Sequence, residues 1–148
     1  MKSGILFFIV ILCVVMACQD EADCISSTTD FVNLRFYKVE DNETDTIEFF
    51  SLKPLASDST LLSDTTINSV IRLPLDLNAT STSFVFDTEF GRDTLILGYE
   101  TSTRLISEEC GIELLVFGLQ SLRNDFDSIQ VVNDILVEEI NEDIRIYN

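Results

Sequence analysis

The sequence contains no histidine and no tryptophan, and it is poor in positive charge: 9 Lys and Arg residues stand against 26 Asp and Glu residues, a formal net charge of −17. Without histidine, neither a Ser-His-Asp nor a Cys-His nucleophile can form, and the commonest zinc ligand is missing. The negative charge repels phosphate backbones, so nucleic acid is not an expected partner. We therefore expect a non-catalytic protein that needs no metal ion or other cofactor.

The long apolar run of the chain lies at its N-terminus. Lys2 precedes an uncharged apolar stretch over residues 5–15, and the small residue Ala17 follows it. A positive residue, a short apolar run and a small-residue site are typical of a secretory signal peptide. A membrane-spanning helix is the alternative, but it would need about 20 apolar residues. We expect residues 1–17 to be a signal peptide.

The end of this segment, Val15-Met16-Ala17-Cys18, resembles a bacterial lipobox, in which the cysteine after the cleavage site carries lipid. Ordinary cleavage beside an unmodified cysteine is the alternative. Each buried acyl CH₂ group contributes about 0.8 kcal/mol, so several acyl chains attach a protein almost permanently. We expect a lipid anchor at Cys18 and a tether over residues 18–29.

Two cysteines remain after the signal peptide and the anchor, Cys24 and Cys110. An exported chain meets an oxidising environment, in which two leftover thiols usually pair. Closing a loop of this length would stabilise the fold by roughly 4–5 kcal/mol in the chain-entropy model. We expect a Cys24–Cys110 disulfide; two buried free thiols or a metal site are the alternatives.

Apolar and polar residues alternate along the rest of the chain with the period of two that is typical of half-buried strands. In residues 31–37, Val32, Leu34 and Phe36 share the face that we expect to be buried. Residues 44–52 predict a hairpin partner of this strand, and residues 54–68 a long loop. Further strands are predicted at residues 69–75, where Pro74 indicates an edge or a strand end, 81–86, 93–101, a central 111–119, 129–132, 135–140 and 144–147.

Seven to nine short strands with turns between them predict an all-β fold. We expect an antiparallel β-sandwich of immunoglobulin-like or related type, or a barrel, as one domain over residues 30–148. One alternative stays open near the C-terminus, because Ile129, Val132, Leu136 and Ile140 also fit one face of a helix.

A set of short motifs follows the order of a known family. They are Leu34-Arg35-Phe36-Tyr37, Leu73-Pro74-Leu75-Asp76, Thr82-Ser83-Phe84-Val85-Phe86, Asp93-Thr94-Leu95 through Tyr99, Ser107-Glu108-Glu109-Cys110-Gly111 and Ile144-Arg145-Ile146-Tyr147. Cys24 stands where that family has its first cysteine after the anchor. The chain resembles the uncharacterised lipoproteins of Bacteroidota gathered as domain-of-unknown-function family 6452. This resemblance implies an envelope location and the β architecture, and it brings no known activity.

Two groups of alternating carboxylates have a spacing that can hold Ca²⁺: Asp41, Glu43 and Asp45, and Asp125 and Asp127. In the first group, however, Thr46 stands where an EF-hand loop needs glycine, and Leu52 stands where it needs the bidentate glutamate. We interpret both groups as solvated turn carboxylates. A carboxylate pair for glycoside hydrolysis stays open, although 26 acidic residues make a close pair expected by chance.

An Asp-Ser/Thr-hydrophobe pattern recurs along the chain and resembles the O-glycosylation acceptor pattern of exported Bacteroidota proteins. Its acceptors would be Thr46, Thr65, Thr94 and Ser128. The alternative is turn chemistry, because Asp, Ser and Thr begin strands and close turns for backbone reasons.

These features favour a non-catalytic lipoprotein of the outer membrane, held there by its lipid and acting as an accessory or structural subunit. Its expected partner is another envelope protein, such as an outer-membrane barrel. The acidic residues 19–23 resemble a surface-export signal; a solvated linker of a periplasm-facing domain is the alternative. The other functional class is a module that binds glycan or Ca²⁺, which the lack of tryptophan disfavours, since Tyr37, Tyr99 and Tyr147 are the few aromatic candidates for an exposed face.

Overall fold

The computed structural model describes Cys24, residues 27–67 and residues 70–148. The predicted signal peptide, Cys18 and most of the tether lie outside these residues. The described part forms strands and no helix: β1 (Phe31–Tyr37), β2 (Ile47–Pro54), β3 (Leu62–Ile67), β4 (Ile71–Pro74), β5 (Ser81–Thr88), β6 (Gly91–Ser107), β7 (Gly111–Asn124), β8 (Ser128–Val131) and β9 (Ile144–Tyr147). Within this part, no helix is long and apolar enough to cross a membrane.

The strands form two sheets. The larger has the order β3-β2-β5-β6-β7, and the smaller has the order β4-β1-β9-β8. Every strand pair is antiparallel except β1 with β9, which run parallel. The predicted all-β sandwich is therefore confirmed. The prediction from Pro74 is also confirmed, because β4 lies at the edge of the smaller sheet.

The core lies between the sheets and is centred on phenylalanine. Val32, Leu34 and Phe36 of β1 are buried, as the alternation predicts. The Phe36 ring meets the rings of Phe49 and Phe86 edge to face, with centroid distances of 5.7 and 6.4 Å. Such aromatic pairs contribute about 0.5–1.5 kcal/mol each beyond the area they bury. Since β1 lies in one sheet and β2 and β5 lie in the other, these rings join the two layers.

The hairpin expected between the first two strands is wrong. β2 belongs to the larger sheet, and its link to β1 is reduced to an isolated bridge between Tyr37 and Thr44. The physical reason is that both strands present a buried apolar row. These rows stabilise the fold when they face each other across the core, as Phe36 and Phe49 do.

The long loop expected over residues 54–68 is also wrong, because it contains β3, which pairs antiparallel with β2. β3 has apolar residues only at its ends, Leu62 and Ile67, and both pack against the core. An edge strand exposes its polar middle to solvent, so β3 shows no alternation over its length.

The expectation that residues 111–119 form a central strand is wrong as well, since β7 lies at the edge of the larger sheet. β6 and β7 form one long hairpin, and residues 100–105 of β6 are exposed throughout. The apolar run in β7 serves two purposes: Val116 and Leu119 enter the core, whereas Ile112 and Leu114 line a cleft beneath the hairpin.

Residues 132–143, which join β8 to β9, close one side of the sandwich; we call them the closing segment. Its Leu136 is fully buried in the core. The Leu136 amide donates to the Val116 carbonyl at 3.0 Å, and the Leu119 amide donates to the Asp134 carbonyl at 3.0 Å. The segment therefore covers part of the β7 edge. Both interpretations of this region, a strand over residues 135–140 and a helix, are wrong.

The closing segment gives a stability prediction with a neighbouring control. Leu136→Ala is expected to lower the free energy of unfolding by about 2–5 kcal/mol, because it leaves a cavity in a packed core. Ile135 is 47% exposed, so Ile135→Ala should change the same quantity by no more than about 0.5 kcal/mol. Urea unfolding of both variants tests this. Equal losses would show that Leu136 does not fill the core.

Candidate functional site

A cleft of about 650 Å³ lies beneath the far end of the β6–β7 hairpin. Its roof includes Ile112 and Leu114 of β7, and its floor includes Phe31 and Arg72 of the smaller sheet. The cleft exists because the hairpin is much longer than the four-residue strand β4 at the edge of the smaller sheet. Its lining combines apolar side chains with a few charged ones, which is the usual composition of a binding pocket.

A disulfide between Cys24 and Cys110 lies in the wall of this cleft. The pairing expected from the sequence is thus present in the structure. Cys110 belongs to the turn between β6 and β7, and Gly111, at φ 78°, leads the chain from this turn into β7. That conformation favours glycine because a side chain would be strained there. The bond fixes the chain segment before β1 to the tip of the hairpin.

Arg72 supplies the positive charge of the cleft. Its guanidinium lies over the Phe31 ring, 4.9 Å from the centroid, and its Nη2 donates to a Glu138 carboxylate oxygen at 3.0 Å. Both members of this ion pair are about half exposed, so the pair contributes at most about 1 kcal/mol.

Glu113 is a buried carboxylate of the cleft. It accepts a hydrogen bond from Arg104 Nε at 2.8 Å and one from Thr28 Oγ1 at 3.5 Å. The Thr28 bond ties the outer part of the hairpin to the segment before β1, whereas the Arg104 bond joins the two strands of the hairpin. Because they satisfy the Glu113 carboxylate, we assign it a structural role.

A second polar cluster lies on the outer face of the smaller sheet, around Glu142. Tyr37 Oη donates to Glu142 Oε2 at 2.5 Å, and Arg145 Nε donates to Glu142 Oε1 at 2.6 Å. Burial would raise the pKa of Glu142, but the hydrogen bonds from Tyr37 and Arg145 outweigh it and hold this pKa below its ordinary value. Burial, together with the hydrogen bond to Glu142, raises the pKa of Tyr37.

The next residue, Asp143, has the opposite environment. It is 0% exposed, its Oδ2 accepts the Asn33 amide at 2.8 Å, and its Oδ1 has no hydrogen-bond partner among the described residues. Burial raises the pKa of Asp143, and the hydrogen bonds from Asn33 oppose this in part. Adjacent carboxylates with opposite pKa shifts can form an acid–base pair. Here Glu142 is held in ion pairs and Asp143 has no accessible surface, so the geometry favours a structural role for both.

The cluster gives a pH-dependent prediction. Glu142→Gln is expected to lower the free energy of unfolding at pH 7 by roughly 1–3 kcal/mol, because it removes hydrogen bonds to a charged group. A lowered folded pKa means that the carboxylate stabilises the fold above its unfolded pKa of about 4.3, and that this contribution is lost as the pH falls through the folded pKa.

Urea unfolding of the wild type and Glu142→Gln between pH 3 and pH 8 tests the sign. The difference in unfolding free energy should shrink at the acidic end. Asp143→Asn is the matched variant: the raised pKa of Asp143 favours folding below its unfolded pKa of about 3.9 and opposes folding as the pH rises. This substitution should therefore alter the pH profile in the other direction. A pH-independent loss in Glu142→Gln would contradict the assignment.

A family model described as a family of unknown function (DUF6452) matches residues 46–148, well over half of the chain. The chain belongs to this family. The match includes β2 to β9, the hairpin tip with Cys110 and the closing segment. β1 and Cys24 precede it, so the motif in β1 and the family position of Cys24 lie outside the matched residues. No curated protein and no solved structure matches the chain.

Three of the carboxylates considered for Ca²⁺ in this DUF6452 member accept hydrogen bonds from backbone amides. Asp41 Oδ1 accepts the Glu43 amide at 3.0 Å, and Asp45 Oδ1 accepts the Thr46 amide at 2.8 Å. Asp125 Oδ2 accepts the Thr94 amide at 3.2 Å. Among the described residues, no group of three or more such side chains is placed to hold a metal ion. These hydrogen bonds support the interpretation that the carboxylates stabilise turns and strand ends.

Asp93 lines a small pocket together with Phe90, Asp125 and Asp127. Burial raises the pKa of Asp93, and the charges of Asp125 and Asp127 add to the effect. This group lies at the opposite end of the hairpin from the cleft.

The glycosylation candidates are not brought together. Thr46 and Ser128 are exposed, just before β2 and at the start of β8, whereas Thr65 and Thr94 are half-buried within β3 and β6. Exposed positions at strand starts are the more accessible acceptors, so Thr46 and Ser128 remain the better candidates. Modification at these positions stays a prediction.

The tyrosines considered for an exposed aromatic face are mostly covered. Tyr99 is buried in the core, and its Oη donates to the Asp76 carbonyl at 2.7 Å. Tyr37 is buried under Glu142, and the Tyr147 ring lies against it with centroids 5.7 Å apart. The expectation that Tyr37 and Tyr99 are exposed is wrong, because hydrogen-bond partners from other elements cover their hydroxyl groups.

Sequence reasoning missed Glu113 and Asp143, which the fold buries. Glu113 interrupts the apolar run of residues 111–119, and Asp143 directly precedes the apolar start of β9. A charge within such a stretch indicates a partner, since carboxylates are almost never buried without one. That signal could have identified both residues.

Proposed function

We propose that this DUF6452 member is a non-catalytic lipoprotein of the cell envelope, anchored through Cys18 in the outer membrane. In this proposal it acts as an accessory or structural subunit of an envelope assembly. The observation that supports it best is the Cys24–Cys110 disulfide. If the tether is attached to a membrane, a bond between the tether and the far end of the hairpin limits the distance and the orientation of the domain relative to that membrane.

The sequence spacing of Cys18 and Cys24 sets the largest distance between the anchor and the hairpin tip. Cys24 follows Cys18 by six positions. Six residues span at most about 20 Å when fully extended. The hairpin tip would therefore stay within about 20 Å of the acylated cysteine, which favours a partner in or on the same membrane over a distant soluble one.

The open side of the sandwich is the surface that best suits a protein partner. The edge strands β3 and β4 lie on this side, and an apolar groove of about 400 Å³ runs between them. Leu62, Ile67 and Leu73 line the groove. Exposed edge strands beside an apolar groove are suited to the addition of a strand from another protein. The closing segment covers the other side, so we place the partner at β3 and β4.

Extraction of the tagged protein from membranes with mild detergent tests this function. Size-exclusion chromatography and mass spectrometry should reveal an envelope protein in a fixed ratio to the chain. Thr66→Lys places a charge on an exposed position of β3 and should reduce recovery of the partner, since a lysine on an edge strand opposes strand addition. Thr101→Lys, at an exposed position of β6, is the control and should leave recovery unchanged. A chain that elutes alone would contradict the subunit role and favour a ligand-binding module for glycan or Ca²⁺.

A further inference from the structure

Two exposed apolar side chains stand opposite each other at the tip of the β6–β7 hairpin. Leu105 and Ile112 are direct partners across the strands, and they are 60% and 69% exposed. They flank the turn that contains Cys110. Single exposed apolar residues are ordinary on a protein surface, but an exposed apolar pair can mark a contact site when another observation points to it.

The second observation is the position of the disulfide. Cys110 lies two residues before Ile112 and is bonded to Cys24, so the pair lies beside the end of the tether. Another exposed apolar residue of the hairpin, Leu122, lies ten positions from Ile112 along β7. Ten residues of strand separate them by about 30 Å. The tip is therefore the part of the hairpin that a short tether would bring to the membrane.

The charge around the tip restricts the kind of surface that it can meet. Glu108 and Glu109 are exposed in the turn, and the tether adds the acidic residues of positions 19–23. Anionic lipids would repel this concentration of carboxylates. Zwitterionic headgroups carry ammonium groups that can lie near the carboxylates while apolar side chains enter the layer below.

We propose that the hairpin tip is a second membrane contact of this protein, in which Leu105 and Ile112 lie in the lipid–water interface of the bilayer that holds the Cys18 acyl chains. In this contact the hairpin tip lies along the membrane surface, so that the Leu105–Ile112 pair faces the lipid while the turn with Glu108 and Glu109 stays at headgroup level. This inference rests on the anchor of the proposed function, and its test separates the two.

Because the chain contains no tryptophan, a single introduced tryptophan can report on its own environment by fluorescence. The mature, membrane-extracted protein carries Leu105→Trp or Ile112→Trp and is reconstituted into phosphatidylcholine vesicles, with or without bromine on the acyl chains. Both variants should lose most of their fluorescence in the brominated vesicles, and their emission should shift to shorter wavelength relative to detergent-free urea-unfolded protein. Leu122→Trp, also at an exposed position of the hairpin, is the control and should stay bright.

The outcomes separate the anchor from the tip contact. If the variants float with the vesicles but the tip tryptophans are quenched no more than the control, the tip contact is wrong while the anchor stands. Such a result would favour a contact of the hairpin tip with a protein partner instead of the membrane. If no variant floats with the vesicles, both the anchor and the tip contact are wrong. Strong quenching at the tip with a bright control supports the contact.

Discussion

Replacing Cys24 and Cys110 together by serine is expected to lower the free energy of unfolding by about 4–5 kcal/mol in the chain-entropy model. The bond joins residues 86 positions apart, so it removes many conformations from the unfolded chain. It also holds the outer hairpin to the segment before β1, to which the Thr28–Glu113 hydrogen bond is a second attachment. Guanidinium unfolding of the wild type and the variant measures the loss.

Two controls make this result specific. The reduced wild type should lose as much stability as the double variant, because both lack the crosslink and keep the same fold. Hydrogen exchange should show that amides near the hairpin tip lose protection before those of the core around Phe36. A loss below about 1 kcal/mol, the size of an average substitution, would contradict a constraining role for the bond.

Replacing Cys18 by alanine is expected to release the protein from the membrane fraction. An acyl chain contributes about 0.8 kcal/mol for each buried CH₂ group, so no contact of the protein surface can replace several chains. The hairpin tip alone, with one exposed apolar pair, should not retain the variant against washing. Fractionation of cells that produce the wild type and Cys18→Ala tests the prediction.

The chain offers a matched control in its other cysteine near the N-terminus. Cys24→Ser removes a cysteine six positions away, destabilises the fold by removing the disulfide, and should nevertheless leave the protein in the membrane fraction. If Cys18→Ala stays membrane-bound after a carbonate wash, the anchor is wrong.

Local patterns were sufficient where a strand has one buried face. In β1, the alternation identified Val32, Leu34 and Phe36 correctly, since each points between the sheets. It failed for Tyr37, which is covered by Glu142 of the closing segment. The two residues are 105 positions apart, and no local period carries such information.

Sheet membership was harder to predict than strand position. A buried apolar row shows that a strand faces the core but not from which side, so β1 and β2 were wrongly paired. An edge position also hid β3, whose central residues are polar, and made β7 look central, because its apolar residues serve both the core and the cleft. These errors concern distant pairing, which depends on the whole topology.

The candidate site was predictable only in part. The disulfide followed from export and from the two cysteines that remained after processing. The cleft did not, because it depends on the length of β6 and β7 relative to β4, and both strands extend beyond the predicted ends at residues 101 and 119. The sequence pattern predicts a strand or a helix at Leu136, whereas this residue fills the core from an irregular segment.

Mass spectrometry can test directly for a lipid anchor whose tether is bonded to the hairpin. In the sequence, no Lys or Arg lies between Cys18 and Arg35 or between Arg104 and Arg123. A non-reducing tryptic digest of the membrane-extracted protein should therefore yield residues 18–35 linked to residues 105–123 through Cys24 and Cys110, with the added mass of acyl groups on Cys18. A linked pair that begins at another residue, or that begins at Cys18 without acyl mass, would contradict the account.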